Sequence, residues 1–291
     1  MKKVNILILF LLFVFSLGGN RSASAGDYKI EKVTGNVYRF VADRYRSVFL
    51  VTEKGILITD PLNVEAATWL KKSLKDRFNL PVKYVIYSHN HSDHVYGGVV
   101  FKDSQPIFIA SQPAKQDLAI TRANTIIPDI TFEETMRITL EDNEVELRYH
   151  GSNDGRGSIS MLFKPEKVLF AVDWIVIGRM PWKRLWSYDI QGMINSTREV
   201  LNLDFDIFIG GHADVGTKTD VANYLSYLEN LYTAVINGIH SGKTLAQLQN
   251  EIKLPQYSHL KNYNEWLPMN IEGVYERLME ESGMSWRPDI D

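Results

Sequence analysis

The chain contains no cysteine among its 291 residues. That excludes disulfides, a thiolate nucleophile and thiolate metal ligands. It also has no surplus of positive charge: 32 Lys and Arg stand against 35 Asp and Glu, a formal net charge of −3. A nucleic-acid partner calls for a basic face, so none is expected. Long apolar runs are scarce as well. Val4 to Leu17 is almost wholly apolar but short for a membrane span. It follows the charged start Met1-Lys2-Lys3 and precedes the small-residue sequence Ala23-Ser24-Ala25. This is the pattern of a secretory signal peptide over residues 1–25, with the mature chain starting at Gly26. No cysteine follows it to take a lipid, so no stable membrane anchor is expected after cleavage. Export without cysteine suggests a periplasmic or secreted protein. The hydrophobic content of 45 % is ordinary for a globular chain.

What the sequence does have is histidine in one place. Ser88-His89-Asn90-His91-Ser92-Asp93-His94-Val95-Tyr96-Gly97-Gly98 holds three of the seven histidines. The preceding run Val82–Tyr87 is β-branched and aromatic and reads as a buried strand, so the cluster sits on the loop leaving a strand. Open α/β sheets usually place their sites there. In an extended segment His89, His91 and Asp93 point to one side, and His94 turns with the loop. Imidazole nitrogen and carboxylate oxygen suit zinc, and also iron or manganese.

Around this loop the pattern predicts a layered α/β fold. Four short strands fill residues 28–60, and a helix runs from Glu65 to Asn79 with Ala66, Ala67, Trp69, Leu70, Leu74 and Phe78 on one face. A strand at 106–110 and a helix at 113–123 follow. Residues 124–134 are irregular and read as a loop bordering the site. Hairpins are expected over 137–149 and 158–171, a helix over 190–201, and a strand from Asp206 closing on Gly210-Gly211-His212. Helices at 219–237, 244–252 and 271–282, joined through Pro255 and Pro268, form a helical tail. The expected organisation is one domain over 26–240 and a C-terminal extension over 241–291 packed on it. Asp60, at a strand end, reads as a turn former or helix cap; the family resemblance described below implies instead a support for the metal loop. The aromatic and basic stretch Trp174–Trp186 reads as a lip over the site, with Arg179 or Lys183 placed to hold a substrate carboxylate; packing plus a solvated face is the competing reading.

The pattern His-x-His-x-Asp-His, with Asp173 ending one later strand and His212 another, resembles the metallo-β-lactamase superfamily. The resemblance covers roughly Val37 to Leu231. It implies a four-layer αβ/βα sandwich. It places His89, His91 and a residue of the loop after Tyr149 on a first metal, Asp93, His94 and His212 on a second, and Asp173 between them. The loop after Tyr149 normally supplies a histidine. Here Asp154 stands at the matching position, with His150 four residues earlier as its rival and a turn-supporting role as the alternative. Aspartate coordinates zinc at about 2.0–2.2 Å but adds negative charge. The absence of cysteine rules out the superfamily sites that use one at the second metal.

The implied activity is metal-dependent hydrolysis with one or two zinc ions, iron and manganese remaining open. A water between two ions falls in pKa from about 15.7 toward about 7 and attacks a carbonyl as hydroxide. Asp93 is the candidate to orient it or shuttle a proton. The substrate is expected to be a small molecule: an ester, lactone, thioester or cyclic amide such as a β-lactam. The alternatives are an iron oxidoreductase of the sulfur-dioxygenase type and a non-catalytic metal-binding protein with an altered site.

Overall fold

Alternating apolar residues after Asp27 set up a meander of four antiparallel strands: β1 (Tyr28–Thr34), β2 (Val37–Ala42), β3 (Tyr45–Thr52) and β4 (Gly55–Thr59). The computed structural model describes residues 27–281 and 283–284, so the segment read as a signal peptide lies outside the described residues. Helix α1 (Val64–Phe78) follows, with the Asn63 side chain accepting the Ala66 N–H and the left-handed Asn79 closing the other end. It buries Ala66, Ala67, Leu70 and Leu74 of the expected face, while Trp69 and Phe78 at its edges are only partly buried.

The chain then turns parallel. β5 (Val82–Ile86) lies beside β4. The one-turn helix α2 (Ser92–Val95), a 3-10 stretch (Tyr96–Ser104), β6 (Ile107–Ser111), α3 (Gln112–Ile120) and β7 (Ile130–Phe132) complete the first half. These seven strands form one sheet in sequence order, β1 to β7. The irregular stretch 124–134 is thus partly a strand, which adds itself parallel to the edge at β6. Its Thr125 hydroxyl donates to the Val95 carbonyl and meets the Tyr87 hydroxyl, so it does border the metal loop, from behind.

The second sheet holds β8 (Thr135–Leu140), β9 (Asn143–Tyr149), β10 (Ile159–Lys164), β11 (Val168–Ala171), β12 (Ile207–Ile209) and β13 (Gly216–Thr217) in the order 13-12-11-10-9-8. Helix α4 (Ile190–Val200) crosses between β11 and β12, which therefore run parallel. Helix α5 (Lys218–His240) opens on a reciprocal cap between Thr217 and Asp220. Helices α6 (Leu245–Glu251) and α7 (Tyr263–Glu276) follow.

Three apolar cores account for the layers. One lies between the sheets, with Leu50, Leu57, Ile86 and Ile109 facing Val145, Met161, Phe163 and Phe170. One joins the first sheet to α1 and α3 through Phe49, Ile58, Leu70, Phe108 and Leu118. The third joins the second sheet to α4, α5, α6 and α7 through Phe208, Met193, Leu228, Leu248 and Ile271. The result is an α/β fold of four layers, αβ/βα, with the C-terminal helices packed against α5. Each fully buried large apolar side chain contributes about 1.5–3 kcal/mol of transfer energy. Among the described residues no helix is long and apolar enough to cross a membrane.

Pro268 does not separate two tail helices; it sits inside α7. Its ring falls near the N-terminal end, where the carbonyl it crowds belongs to the exposed Asn264 and can turn to solvent. Two residues on, Asn270 is fully buried. It accepts from the Tyr227 hydroxyl of α5 at 2.6 Å and donates to the carbonyls of Pro181 and Lys183 at 3.2 and 2.6 Å. One amide thus ties two helices to the stretch 174–186. Removing it leaves buried groups unpaired, at about 1–3 kcal/mol. Asn270→Ala is therefore expected to lower the unfolding free energy by that amount, read as a lower urea midpoint with an unchanged slope of the transition.

Candidate metal centre

The site lies where the two sheets present the C-terminal ends of their parallel strands. β4 leads into Asp60, β5 into His89, β11 into Asp173 and β12 into His212. Two backbone hydrogen bonds lock these ends across the sheets: Ile159 N–H to the Ser88 carbonyl at 2.9 Å, and Arg46 N–H to the Gly211 carbonyl at 2.8 Å. A Cβ at Gly211 would fall 2.5 Å from Val172 Cγ1 and 2.8 Å from His94 Cε1, so only glycine lets this strand end run so close.

The histidine loop is less extended than its spacing suggests. Strand-like alternation covers only His89 and His91. The chain then enters α2 at Ser92, so Asp93 and His94 arrive on a helical turn, with His91 as its N-cap. Two groups of ligand-type atoms result: His89, His91, Asp154 and Asp173, and Asp93, His94 and His212. All seven residues singled out from the sequence are in them. His89 Nε2 is 3.9 Å from Asp154 Oδ2 and 3.5 Å from Asp173 Oδ2. His91 Nδ1 is 3.6 Å from Asp154 Oδ2. His94 Nε2 is 3.8 Å from Asp93 Oδ2 and 3.5 Å from Asp173 Oδ2, while His212 Nε2 is 3.2 Å from Asp173 Oδ1. Asp173 therefore reaches both groups with its two oxygens, as a bridging carboxylate does.

Supporting contacts decide which nitrogens face inward. Asp60, wholly buried, accepts both the backbone N–H and the hydroxyl of Ser88 at 2.7 Å. The Ser88 hydroxyl has one proton and has given it away, so toward His89 Nδ1, 2.7 Å off, it acts as acceptor. His89 then carries its proton on Nδ1 and presents a bare Nε2. The Arg44 carbonyl does the same for His212, 3.1 Å from its Nδ1. His94 Nδ1 lies 3.2 Å from Asp60 Oδ2. Asp60 is thus a support of the loop, the role that the resemblance implies for it. Such outer contacts fix the ring orientation of metal-binding histidines.

These inward atoms fit a metal. His94 Nε2 and His212 Nε2 stand 3.4 Å apart, close enough to meet on one ion. His89 Nε2, both Asp154 carboxylate oxygens and Asp173 Oδ1 are buried with no hydrogen-bond partner. The residues' own electrostatics ask for a cation. Burial, then Asp173, pushes Asp154 well above the usual carboxylate range. Burial pulls His94 down, but Asp173 and Asp60 outweigh it and raise its pKa to about 9. Burial and His91 lower His89 to about 4. Burial also pushes Asp173 up, yet His94, His212 and His89 hold it well below its ordinary value. Asp173 adopts φ 73° with its neighbours hydrogen-bonded across it, Trp174 N–H to the Val172 carbonyl at 3.1 Å. That is a γ-turn of the strained, positive-φ kind, found where the surroundings over-determine a residue.

Asp154 is held from outside the site. Its loop is pinned to α4 by Asn153 Nδ2 donating to Ser196 Oγ at 3.2 Å, and its backbone pairs with Tyr188. His150 is not a ligand. Its ring is buried between Glu199 (2.9 Å from Nδ1) and Ser160 (2.7 Å from Nε2), tying α4 to β10.

Above the ligand atoms opens a cavity of about 540 Å³ lined by His91, Asp93, Asp173 and His212 below, and by Tyr45, Trp182, Trp186 and Tyr188 at the sides. The stretch 174–186 does form its lip. Arg179 faces it, whereas Lys183 is not among its lining residues and lies over the Trp182 ring, 4.9 Å from the centroid. Arg44, Tyr45 and Arg46 from the β2–β3 turn, Tyr188, and Lys261 from the tail also line it. None was foreseen, because each arrives by tertiary crossing; the cationic turn Asp43-Arg44-Tyr45-Arg46 was the only signal present.

The sequence profile of the Metallo-beta-lactamase superfamily matches residues 41–212. The chain belongs to this superfamily. It is 25 % identical over 189 residues to the 2,4-dinitroanisole O-demethylase subunit alpha of Nocardioides sp. (strain JS1661), a match covering 62 % of this chain and 56 % of that protein. The chain therefore spans little more than half of that relative's length. Among solved structures, the fold is similar to the sec-alkyl sulfatase PisA1, solved as a double mutant. The TM-score is 0.71 at 16 % identity, covering 90 % of this chain and 52 % of that one. It is also similar to a metallo-beta-lactamase from Pontibacter korlensis, with TM-score 0.63 at 16 % identity, over 70 % and 99 % of the two chains. At these identities the structures share the fold alone.

Mass-spectrometric metal content should give two ions per chain in the parent protein and one in Asp154→Ala; an unchanged count would remove Asp154 from the ligand set. Asp60→Ala, which keeps every inward atom but frees His94 and Ser88, should weaken metal affinity about 10–100-fold in a chelator competition.

Proposed function

We propose that this chain is a metal-dependent hydrolase of small molecules, binuclear and zinc-loaded, exported to the periplasm or beyond. The observation that carries the reading is the set of inward-facing imidazole nitrogens and unpartnered carboxylate oxygens at the floor of an aromatic-walled cavity. Export rests on the charged, apolar and small-residue order of residues 1–25.

Bound metal supplies a water of lowered pKa and an electrophile for the substrate's polarised oxygen. The chain's own residues do the rest. Ser88 and the Arg44 carbonyl hold the imidazoles of His89 and His212 in the tautomer that leaves a lone pair inward, and Asp60 fixes Ser88 and stands 3.2 Å from His94 Nδ1. Asp93 faces the cavity with its side chain 40 % exposed, the one carboxylate of the set placed to take a proton and pass it to solvent. Burial pushes the Tyr188 hydroxyl well above its ordinary value, so it stays a neutral donor on the cavity wall, suited to a developing negative charge. Trp182 and Trp186 limit water over the floor.

The scissile bond is an ester, lactone, thioester or cyclic amide. The activities named for the relatives add alkyl sulfates and aryl methyl ethers to the candidates. The test is a panel of these classes, including a chromogenic β-lactam, with zinc-loaded protein. Turnover of at least one class is expected, abolished by chelation and restored by zinc. Asp93→Asn should lower kcat about 100-fold or more with a smaller change in KM. No turnover of any class by fully metallated protein would sink the hydrolase reading.

A further inference from the structure

Helix α4 lies along the loop that carries Asp154, the ligand-type residue that departs from the family pattern. Gly192, Ser196 and Glu199 meet that loop, and their spacing of four and three puts them on one side of the helix. A Cβ at Gly192 would fall 1.9 Å from the Ser152 carbonyl oxygen, so a larger residue would push the helix off the loop. Ser196, wholly buried, donates its hydroxyl to the His150 carbonyl and accepts from Asn153 Nδ2, each at 3.2 Å. Burial holds the pKa of His150 below its ordinary value, so the ring is neutral. It gives its one proton to Glu199 from Nδ1, and its Nε2 accepts from the Ser160 hydroxyl. Hydroxyl, imidazole and carboxylate stand here in the order of a nucleophilic triad. Ser160, however, is 1 % exposed and is not among the residues lining the cavity. The array is a tie between β10, the loop and α4.

The tie ends on Asp154. Asn153 Oδ1 accepts the Asp154 N–H, so the side chain that Ser196 holds also sets the backbone of the next residue. Asp189, the N-cap of α4, donates its N–H to the Asn153 carbonyl at 2.8 Å, and the Ser158 hydroxyl donates to the Asp154 carbonyl at 2.6 Å. The main chain of Asp154 is thus held at both its N–H and its carbonyl. Both its carboxylate oxygens are buried without a hydrogen-bond partner, and Oδ2 lies 3.9 Å from His89 Nε2 and 3.6 Å from His91 Nδ1. An aspartate anchored at its backbone and unpaired at both oxygens is arranged to bind a cation.

We infer that α4 is the positioning element of the first metal site: Gly192, Ser196 and Glu199, acting through His150 and Asn153, fix the Asp154 carboxylate beside His89 and His91. The inference rests on the reading of these atoms as a binuclear metal centre. It gives Asp154 a support of its own, on the opposite side of the site from Asp60.

The test measures zinc affinity and needs no turnover. Zinc-loaded protein is titrated with a chelator, and the two ions are told apart by comparison with Asp154→Ala, which retains the other one. Ser196→Ala should weaken one ion about 10–100-fold and leave the other within about threefold. In the Asp154→Ala background the same substitution should change nothing, because the carboxylate it positions is gone. Glu199→Ala, at an exposed side chain, should weaken the same ion by a smaller factor. Thr197→Ala removes an equally buried hydroxyl from the same helix, one that donates to the Met193 carbonyl within it. That variant should lower the melting temperature of the metal-free protein as much as Ser196→Ala does and leave both ions in place. Two tight ions in the parent, with Ser196→Ala weakening neither or both alike, would overturn the inference and leave the metal centre standing. So would an equal loss of affinity in Thr197→Ala, or an effect of Ser196→Ala that persists without Asp154. A parent that binds fewer than two ions would instead remove the binuclear centre and the inference with it. Should Ser196→Ala fail to fold, Glu199→Ala decides by the same criteria.

Discussion

The constraint on which this structure turns is electrostatic. Imidazole lone pairs and carboxylates from both sheets are held within about 4 Å of one another, largely out of water, with too few protons to go round. Left to themselves such groups repel or take up protons, as the raised His94 and Asp154 both indicate. The fold's task is to hold them there regardless. It does so with strand ends that cannot retreat, with two backbone hydrogen bonds between sheets, and with Asp173 fixed in a backbone conformation that aspartate rarely adopts. The strain is local and is offset by the core between the sheets.

How much of this could be read from residues alone follows from how local each feature is. His89, His91, Asp93 and His94 share one loop, and Asp173 and His212 each end a buried strand, so pattern and position sufficed. The layers followed because apolar periodicity is a local property that tertiary packing then uses. The conformation of the loop was less legible, since a helical turn at Ser92 and an extended run differ by one backbone choice that the sequence does not force. Pro268 was misread as a break because the rule concerns its missing N–H, not whether solvent satisfies the carbonyl left over. Arg44, Tyr45, Tyr188 and Lys261 were invisible for a different reason. They reach the cavity only once the β2–β3 turn crosses Gly211, the Asp154 loop pairs with Tyr188, and the tail folds back on the lip.

Asp154 remains the departure with the most physical content. With histidine at that position the ligand set would hold two carboxylates; with aspartate it holds three. Two divalent ions would then be left with about one net positive charge instead of two. The centre becomes a weaker Lewis acid and attracts an anionic substrate less. Arg44, Arg46 and Arg179, which line the cavity above this floor, carry positive charge at its walls. Their field acts on the same cavity as that of the added carboxylate and with the opposite sign, so the departure in the floor is partly offset in the walls.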